Sequence, residues 1–156
     1  MNAMVESVRS LWLPLGEFGM LVPNIAVAEV VGYQPLEVLA ASEDWCLGAL
    51  RWRGRRIPVV SIELMCGYDR PRMRRNPHLA IMNNCRADST LDFYALVMTG
   101  IPRLIVADAE MLGGAVESDV QDAAIACLVQ LGEASGVIPN MPVIQERVEL
   151  MWRNFS

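Results

Sequence analysis

The sequence is poor in the residues that hold metals or form disulfides. It contains one histidine, His78, and four cysteines, no two of which form a C-x-x-C pair: Cys46, Cys66, Cys85 and Cys127. Thiols scattered in this way indicate neither a zinc site nor a disulfide framework. We therefore expect free, reduced thiols, no metal and no cofactor.

The sequence also lacks a long apolar run. No stretch reaches the length of about 20 apolar residues that a membrane-spanning helix needs. The N-terminal residues 1–12 carry Glu6 and Arg9 where a signal peptide would have an uninterrupted apolar segment. These absences predict a cytoplasmic protein without direct membrane insertion.

Positive charge is not in excess. The chain has 13 Lys and Arg against 18 Asp and Glu, a formal net charge of -5. This balance argues against a dedicated nucleic-acid-binding protein, because that function needs a basic surface. The arginines between Arg70 and Arg75 keep one alternative open, a small β-barrel that binds nucleic acid.

No group of residues has the composition of an active site. His78 has no second histidine and no nucleophile motif beside it. Asp108 and Glu110 are close in sequence, but carboxylates at this spacing are common on protein surfaces. Gly113-Gly114 is not followed by the Lys-Ser or Lys-Thr of a phosphate-binding loop. We therefore expect a protein that is not an enzyme.

What the sequence does have is hydrophobic material in short runs. Hydrophobic residues make up 53% of the 156 residues, enough for one compact domain or two small lobes that share a core. The runs are bounded by glycine, proline and polar residues, which is typical of strands joined by turns. Residues 16–19 separate two such runs and predict a hairpin, whereas residues 25–31 favour either a strand or a short helix.

A second hairpin is predicted around the turn Arg53-Gly54-Arg55. The apolar run 45–50 precedes this turn, and the β-branched run 57–62 follows it. Pro58 requires a strand edge, a strand start or a bulge, because proline has no backbone N–H. Arg55 and Arg56 are interpreted as ordinary surface charge.

The second half of the sequence continues the pattern. Residues 67–78, rich in proline and arginine, are interpreted as an exposed link between two halves. Further short strands are predicted at 79–82, 93–98 and 104–107.

The region 118–136 allows two interpretations. A helix could begin at a capping box formed by Ser118 and Gln121, or a strand could cover 125–131 and lead into a hairpin loop at 132–136. We prefer the strand. After it, an amphipathic C-terminal helix is predicted, with Pro142 in its first turn and an apolar face formed by Ile144, Val148, Met151 and Phe155.

The stretch Trp45–Ile62 resembles the central signature of CheW-like domains, in which a glycine is followed by an Arg-Gly turn and a Pro-Val strand. Val22–Val31 is similar to the family segment that ends in an acidic residue and paired valines. There are two departures from the family pattern, since Arg51 stands where Asn is usual and Ser61-Ile62 where Asp-Leu is usual. The residues that match the signature in register are Gly48, Arg53, Gly54, Pro58 and Val59.

The resemblance implies an all-β fold of two five-stranded SH3-like barrels that share a hydrophobic core, with short helices including a C-terminal helix. Residues 1–156 would form a single domain made of two barrel subdomains linked around 67–78. The opening Leu11–Leu15 is similar to adaptors of chemosensory systems that control pili and twitching motility.

The resemblance also implies a function. Such a protein would be a non-enzymatic adaptor in two-component signal transduction, associated with receptor arrays at the inner membrane. Its partners would be the regulatory domain of a CheA-like histidine kinase and the cytoplasmic tip of a methyl-accepting chemoreceptor. The residues implied for partner binding are Glu29, Val30, Gly48, Arg53, Gly54, Pro58 and Val59.

Overall fold

The chain forms two five-stranded sheets and few helices in a computed structural model that describes residues 8–16, 18–40, 42–69, 76–107 and 122–155. The first sheet consists of β1 (Val8–Pro14), β2 (Gly19–Pro23), β8 (Arg103–Ala107), β9 (Ile125–Leu131) and β10 (Ala134–Pro139). The second consists of β3 (Val27–Gly32), β4 (Cys46–Trp52), β5 (Arg55–Val60), β6 (His78–Asn83) and β7 (Phe93–Met98). The helices are a 3₁₀ turn (Asn24–Ala26), α1 (Ile62–Met65) and α2 (Met141–Trp152).

The two sheets have matching topologies. Their strand orders are β8-β1-β2-β10-β9 and β3-β6-β7-β5-β4. Each sheet contains one parallel pair, β2 with β10 and β5 with β7, and its other pairs are antiparallel. Within the described residues, no helix is long and apolar enough to span a membrane.

The sheets are not consecutive halves of the chain. The first sheet combines N- and C-terminal strands, and the second is formed by the strands between them. The chain passes from one sheet to the other at Asn24–Ala26 and again between Met98 and Arg103. Residues 67–78, predicted to be a link between two halves, follow α1 in the sequence and end where β6 begins. The division of the chain into subdomains around this stretch stays a prediction.

Three hydrophobic clusters fill this architecture. The first sheet encloses a small cluster around Trp12, and the second encloses one around Trp52. The third and largest cluster lies where both sheets face each other and α2. It contains Leu13 and Met20 from the first sheet, five residues from the β6–β7 hairpin and three from α2: Ala80, Met82, Tyr94, Leu96, Met98, Ile144, Val148 and Met151.

Strand alternation explains how one strand serves two clusters. In β7, Ala95 and Val97 belong to the interior of the second sheet, whereas Tyr94, Leu96 and Met98 belong to the shared cluster. Successive side chains of a strand point to opposite faces, so a strand covered on both faces reads as a continuous apolar run. This geometry accounts for the short unbroken runs in the sequence.

The expected local elements are largely present. The hairpins β1–β2 and β4–β5 and the strand β9 are confirmed, and residues 24–32 contain both a 3₁₀ turn and a strand. The predicted loop at 132–136 is shorter, because β10 begins at Ala134 and Gly136 is paired with Gly19 inside the sheet. Ser118 and Gln121 lie outside the described residues.

Pro58 lies inside β5, a strand with neighbours on both sides. It pairs with Ala49, whose own backbone N–H and C=O form hydrogen bonds of 2.9 Å with Glu37. The Ala49–Pro58 pair is therefore one without mutual hydrogen bonds, and the pairing of β5 with β7 begins only at Val59. The missing N–H of Pro58 thus interrupts neither ladder.

The helix α2 packs against the centre of the molecule and holds the β6–β7 connection. Its apolar face buries Ile144, Val148 and Met151, as the spacing predicted, and Asn140 caps its N-terminus. Phe155, predicted on the same helical face, lies in the turn after the helix ends and is partly buried against the same cluster. The buried Gln145 accepts from the backbone N–H of Cys85 at 2.8 Å. One helical turn later, Glu149 accepts hydrogen bonds from the Thr90 N–H at 3.1 Å and the Ser89 hydroxyl at 2.9 Å.

The Trp12 indole leaves no room for side chains on the strands beneath it. A Cβ atom added to Gly19 or Gly136 would lie 2.0 Å or 2.2 Å from an atom of this ring. Both glycines are therefore required by close packing.

We expect Gly136→Ala to lower the free energy of unfolding by about 1–3 kcal/mol, because the extra methyl group overpacks the ring. Gly32→Ala is the matched control, since a Cβ atom there has no neighbour within 4 Å. Urea denaturation of both variants measures the difference. Equal stabilities would contradict the packing assigned to Trp12.

The hydrogen bonds to Glu149 predict a pH dependence of stability. The Thr90 N–H and the Ser89 hydroxyl lower the pKa of this carboxyl group to about 2, below the value of about 4.3 expected in an unfolded chain. Ionised Glu149 therefore stabilises the fold above about pH 5, and this contribution disappears as the pH falls from 5 towards 2.

Glu149→Gln should lower the free energy of unfolding by about 1–3 kcal/mol at neutral pH. In acid the variant and the parent protein should become equally stable. Glu146→Gln is the control on the same helix, because the Glu146 side chain is 59% exposed and lies 4.0 Å from its cationic partner. Urea titrations between neutral and acidic pH test this prediction. A difference in stability between parent and Glu149→Gln that stays the same at every pH would refute the prediction.

Candidate functional site

The β4–β5 hairpin ends in a two-residue turn formed by Arg53 and Gly54. Their φ angles are 49° and 74°, and Trp52 pairs with Arg55 across the turn. Positive φ at both central residues is the requirement of a type I′ hairpin turn, which suits glycine well and arginine poorly. Among the described residues, Arg53 is the only one other than glycine with positive φ. An arginine is thus held at a position that local backbone preference does not favour.

Glu29 joins the two edges of the second sheet. The Trp52 Nε1–H donates a hydrogen bond of 2.7 Å to Glu29 Oε2. Glu29 belongs to β3 and Trp52 to β4, which are the opposite edge strands of this sheet. The contact therefore helps to close the sheet into a barrel.

Arg53 completes this group. Its Nη2 atom lies 3.4 Å from Glu29 Oε2, and its guanidinium carbon lies 4.8 Å from the centre of the Trp52 ring. The Arg53 side chain remains 69% exposed and that of Glu29 38% exposed. An exposed ion pair of this kind adds little to stability, but it orients a planar cation at the barrel end.

The structure thus brings Glu29, Arg53 and Gly54 together at one end of the second barrel. Val30 is also exposed, but alternation along β3 directs it to the opposite face from Glu29. Gly48, Pro58 and Val59 are buried. Any contribution that these three residues make to partner binding acts through the shape of the hairpin.

Gly48 shapes the hairpin at a bulge in β4. Its φ is 143°, and an added Cβ atom would lie 2.4 Å from the carbonyl oxygen of Glu37. Only glycine allows this close approach of the 33–45 connection to β4.

A second cation-aromatic group lies beside the first and was missed by the sequence interpretation. The rings of Trp52 and Phe93 make an edge-to-face contact with centroids 4.8 Å apart. Arg55 lies over the Phe93 ring at 5.4 Å and pairs with Asp92 at 2.8 Å. Part of this group could have been predicted from the sequence, because a two-residue hairpin turn at Arg53-Gly54 pairs Trp52 with Arg55.

Arg56 is not ordinary surface charge. It donates to both carboxylate oxygens of Glu37, at 2.9 and 2.7 Å, and to the carbonyl oxygen of Phe155 at 2.8 Å. The hydrogen bonds between Arg56 and Glu37 lower the pKa of Glu37 and raise that of Arg56. The guanidinium also lies 5.2 Å from the centre of the Trp152 ring. Arg56 therefore ties β5 to the end of α2.

A second exposed surface lies on the first sheet. Ile101, Leu104 and Val106 are 69%, 65% and 55% exposed. Leu104 and Val106 alternate with the inward residues of β8, an edge strand. Ile101 lies in the connection that precedes β8, close to these two residues in the sequence. Exposed aliphatic residues that are grouped rather than scattered are typical of surfaces that contact other proteins.

The remaining candidate sites have fewer features of a binding site. An open cleft of about 410 Å³ lies between α2 and the residues preceding β4, and is lined by Glu43, Trp45, Arg147, Leu150, Met151 and Asn154. No cluster of three or more potential metal ligands occurs in the part of the chain that the structure describes. The residues weighed earlier that lie outside that part are Arg70, Arg72, Arg74, Arg75, Asp108, Glu110, Gly113 and Gly114.

Comparisons with known proteins agree with this architecture. The family pattern described as "CheW-like domain" matches residues 9–147. The crystal structure of the scaffolding protein TtCheW from Thermoanaerobacter tengcongensis superimposes with a TM-score of 0.69 at 14% sequence identity, covering 86% of this chain and 90% of that one. No curated protein matches the chain.

The structural likeness shows that the two sheets adopt the paired SH3-like barrels implied by the sequence resemblance. The family match spans most of the chain, including both sheets and much of α2. The chain therefore belongs to the CheW-like domain family.

Proposed function

We propose that this protein is a non-enzymatic adaptor that couples a chemosensory receptor to a CheA-type histidine kinase. Membership of the CheW-like family supports a chemotaxis adaptor role, and the structural relative is itself described as a scaffolding protein. The observation that carries the proposal is the barrel end at Glu29 and Arg53, where an exposed cation is held over the ring of the buried Trp52 and oriented by a carboxylate.

The barrel end is the proposed contact for the regulatory domain of the kinase. Protein interfaces combine an apolar centre with a polar rim, and charged groups in the rim fix orientation and partner choice. Trp52 is buried in the core of the barrel and supports the guanidinium of Arg53 from below, and Arg53 supplies a planar donor whose position is set by Glu29. The partly buried Phe93 beside Trp52 supplies apolar surface at the same barrel end. A carboxylate of the partner would receive the donors of Arg53 that Glu29 does not use.

The aliphatic surface at Ile101, Leu104 and Val106 is the proposed contact for the receptor. A chemoreceptor tip presents helices, and an amphipathic helix binds other proteins by placing its apolar side chains against such a surface. The barrel end and this surface belong to different sheets. One molecule could therefore bind kinase and receptor together, in arrays at the inner membrane.

Signalling would proceed through binding energy alone. If the adaptor binds one receptor state more tightly when the kinase is attached, the two equilibria are coupled, and the coupling is reciprocal. No covalent step occurs on this chain. The shared core makes such coupling physically reasonable because it holds both barrels in one packed unit.

The nucleic-acid-binding alternative has weaker support. The net charge is -5, whereas nucleic-acid binding depends on a basic surface that neutralises a series of phosphates.

We expect calorimetry to show saturable 1:1 binding between this protein and the regulatory domain of the CheA-type kinase of its own host. Arg53→Glu should weaken that binding at least tenfold, or by about 1.4 kcal/mol, because the new carboxylate would lie against the carboxylate expected on the partner. Arg53→Asn is the matched variant that keeps positive φ favourable while removing the charge.

The fold of each variant is checked by circular dichroism and thermal denaturation. If parent and Arg53→Glu proteins bind equally well, Arg53 has no part in the contact. If the folded parent protein does not bind at all, the kinase-adaptor proposal fails.

A further inference from the structure

The end of the second barrel carries two similar groups rather than one. In each group a guanidinium lies over an aromatic ring and contacts a carboxylate: Arg53 with Trp52 and Glu29, and Arg55 with Phe93 and Asp92. The first group contains the residues already assigned to partner binding. The second is contributed partly by β7 and by the connection before it.

The two groups are continuous. Arg53 lies 4.8 Å from the Trp52 ring, the Trp52 and Phe93 rings are 4.8 Å apart, and Phe93 lies 5.4 Å from Arg55. The four side chains therefore form one row, which we name the arginine-aromatic row. Glu29 flanks it at one end and Asp92 at the other.

Both cations of the row can still bind a partner. The side chain of Arg55 is 56% exposed and that of Arg53 is 69% exposed. A guanidinium has five N–H donors in one plane, and stacking on a ring leaves these donors free at its edge. All 13 basic residues of the chain are arginine.

Arg55 is held in place by contacts that extend to α2. Its partner Asp92 closely follows Ser89 and Thr90, both of which donate to Glu149 of α2. Gln145 binds the start of the same connection. Orientation that exists before binding reduces the entropy lost on binding.

We propose that Arg55 and Asp92 form a second half of the kinase-contacting surface, and that the arginine-aromatic row receives two acidic groups of the partner. The inference rests on the proposed function and extends it, because it states the chemistry of the partner surface: carboxylates placed to meet both Arg53 and Arg55. The unused donors of the two guanidiniums are the argument for this occupant. Arg53 contacts Glu29 through Nη2 and Arg55 contacts Asp92 through Nη1, so each exposed guanidinium keeps further N–H donors for a partner carboxylate, and these donors can select orientation.

Calorimetry with the host kinase regulatory domain tests the inference. Arg55→Gln removes the charge, and Arg55→Lys keeps the charge but loses the planar donor set. Arg103→Gln is the control, an identical change at an exposed position of β8 in the other sheet. Titrations at low and high salt show how much of the binding is electrostatic.

We expect Arg55→Gln to weaken binding about tenfold and to reduce the salt dependence, with Arg55→Lys intermediate and Arg103→Gln close to the parent. Parent binding with Arg55→Gln and Arg55→Lys both indistinguishable from Arg103→Gln would overturn the inference and leave the proposed function standing. Absence of binding by the folded parent would overturn both. Thermal denaturation of each variant shows whether a loss reflects unfolding.

Discussion

The structure depends on one packing constraint, the hydrophobic cluster shared by both sheets and α2. Several strands of each sheet place alternate side chains in their own barrel and in this cluster, so each barrel buries part of its outer face against the other barrel and α2. Polar contacts reinforce the junction. The buried Glu63 accepts from the Gly16 N–H at 3.1 Å, and the Thr99 N–H donates to the Pro14 carbonyl at 2.9 Å. Two barrels thereby behave as one body.

The proposed kinase contact is a consequence of how the second barrel closes. The edge strands β3 and β4 meet through Glu29 and Trp52, and the same carboxylate orients Arg53. Closure of the barrel and the proposed contact therefore use one side chain. The hairpin that presents Arg53 is held from the other direction by Arg56, which reaches the C-terminal residues beyond α2. A surface fixed at several points can transmit a binding event to the shared core with little loss to local motion.

Local patterns predicted the fold well where the cause was local. The Arg53-Gly54 turn, the alternation at 125–131 and the apolar face of α2 each depend on neighbouring residues, and each is confirmed. Ser61, noted as a departure from the family, caps α1 by accepting from the Leu64 N–H, a role that Asp also fills.

Sequence reasoning did less well where the cause was distant. Gly136 was predicted to lie in a loop, because the reason for a glycine at this strand position is the close contact with Trp12, which is far away in the sequence. Arg56 was treated as surface charge because its partners, Glu37 and Phe155, are 19 and 99 residues away.

The most direct test of the account is NMR chemical-shift mapping of the labelled protein titrated with the kinase regulatory domain. We predict the largest changes at Glu29, Trp52, Arg53, Arg55 and Phe93. Changes confined to the first sheet would contradict the account.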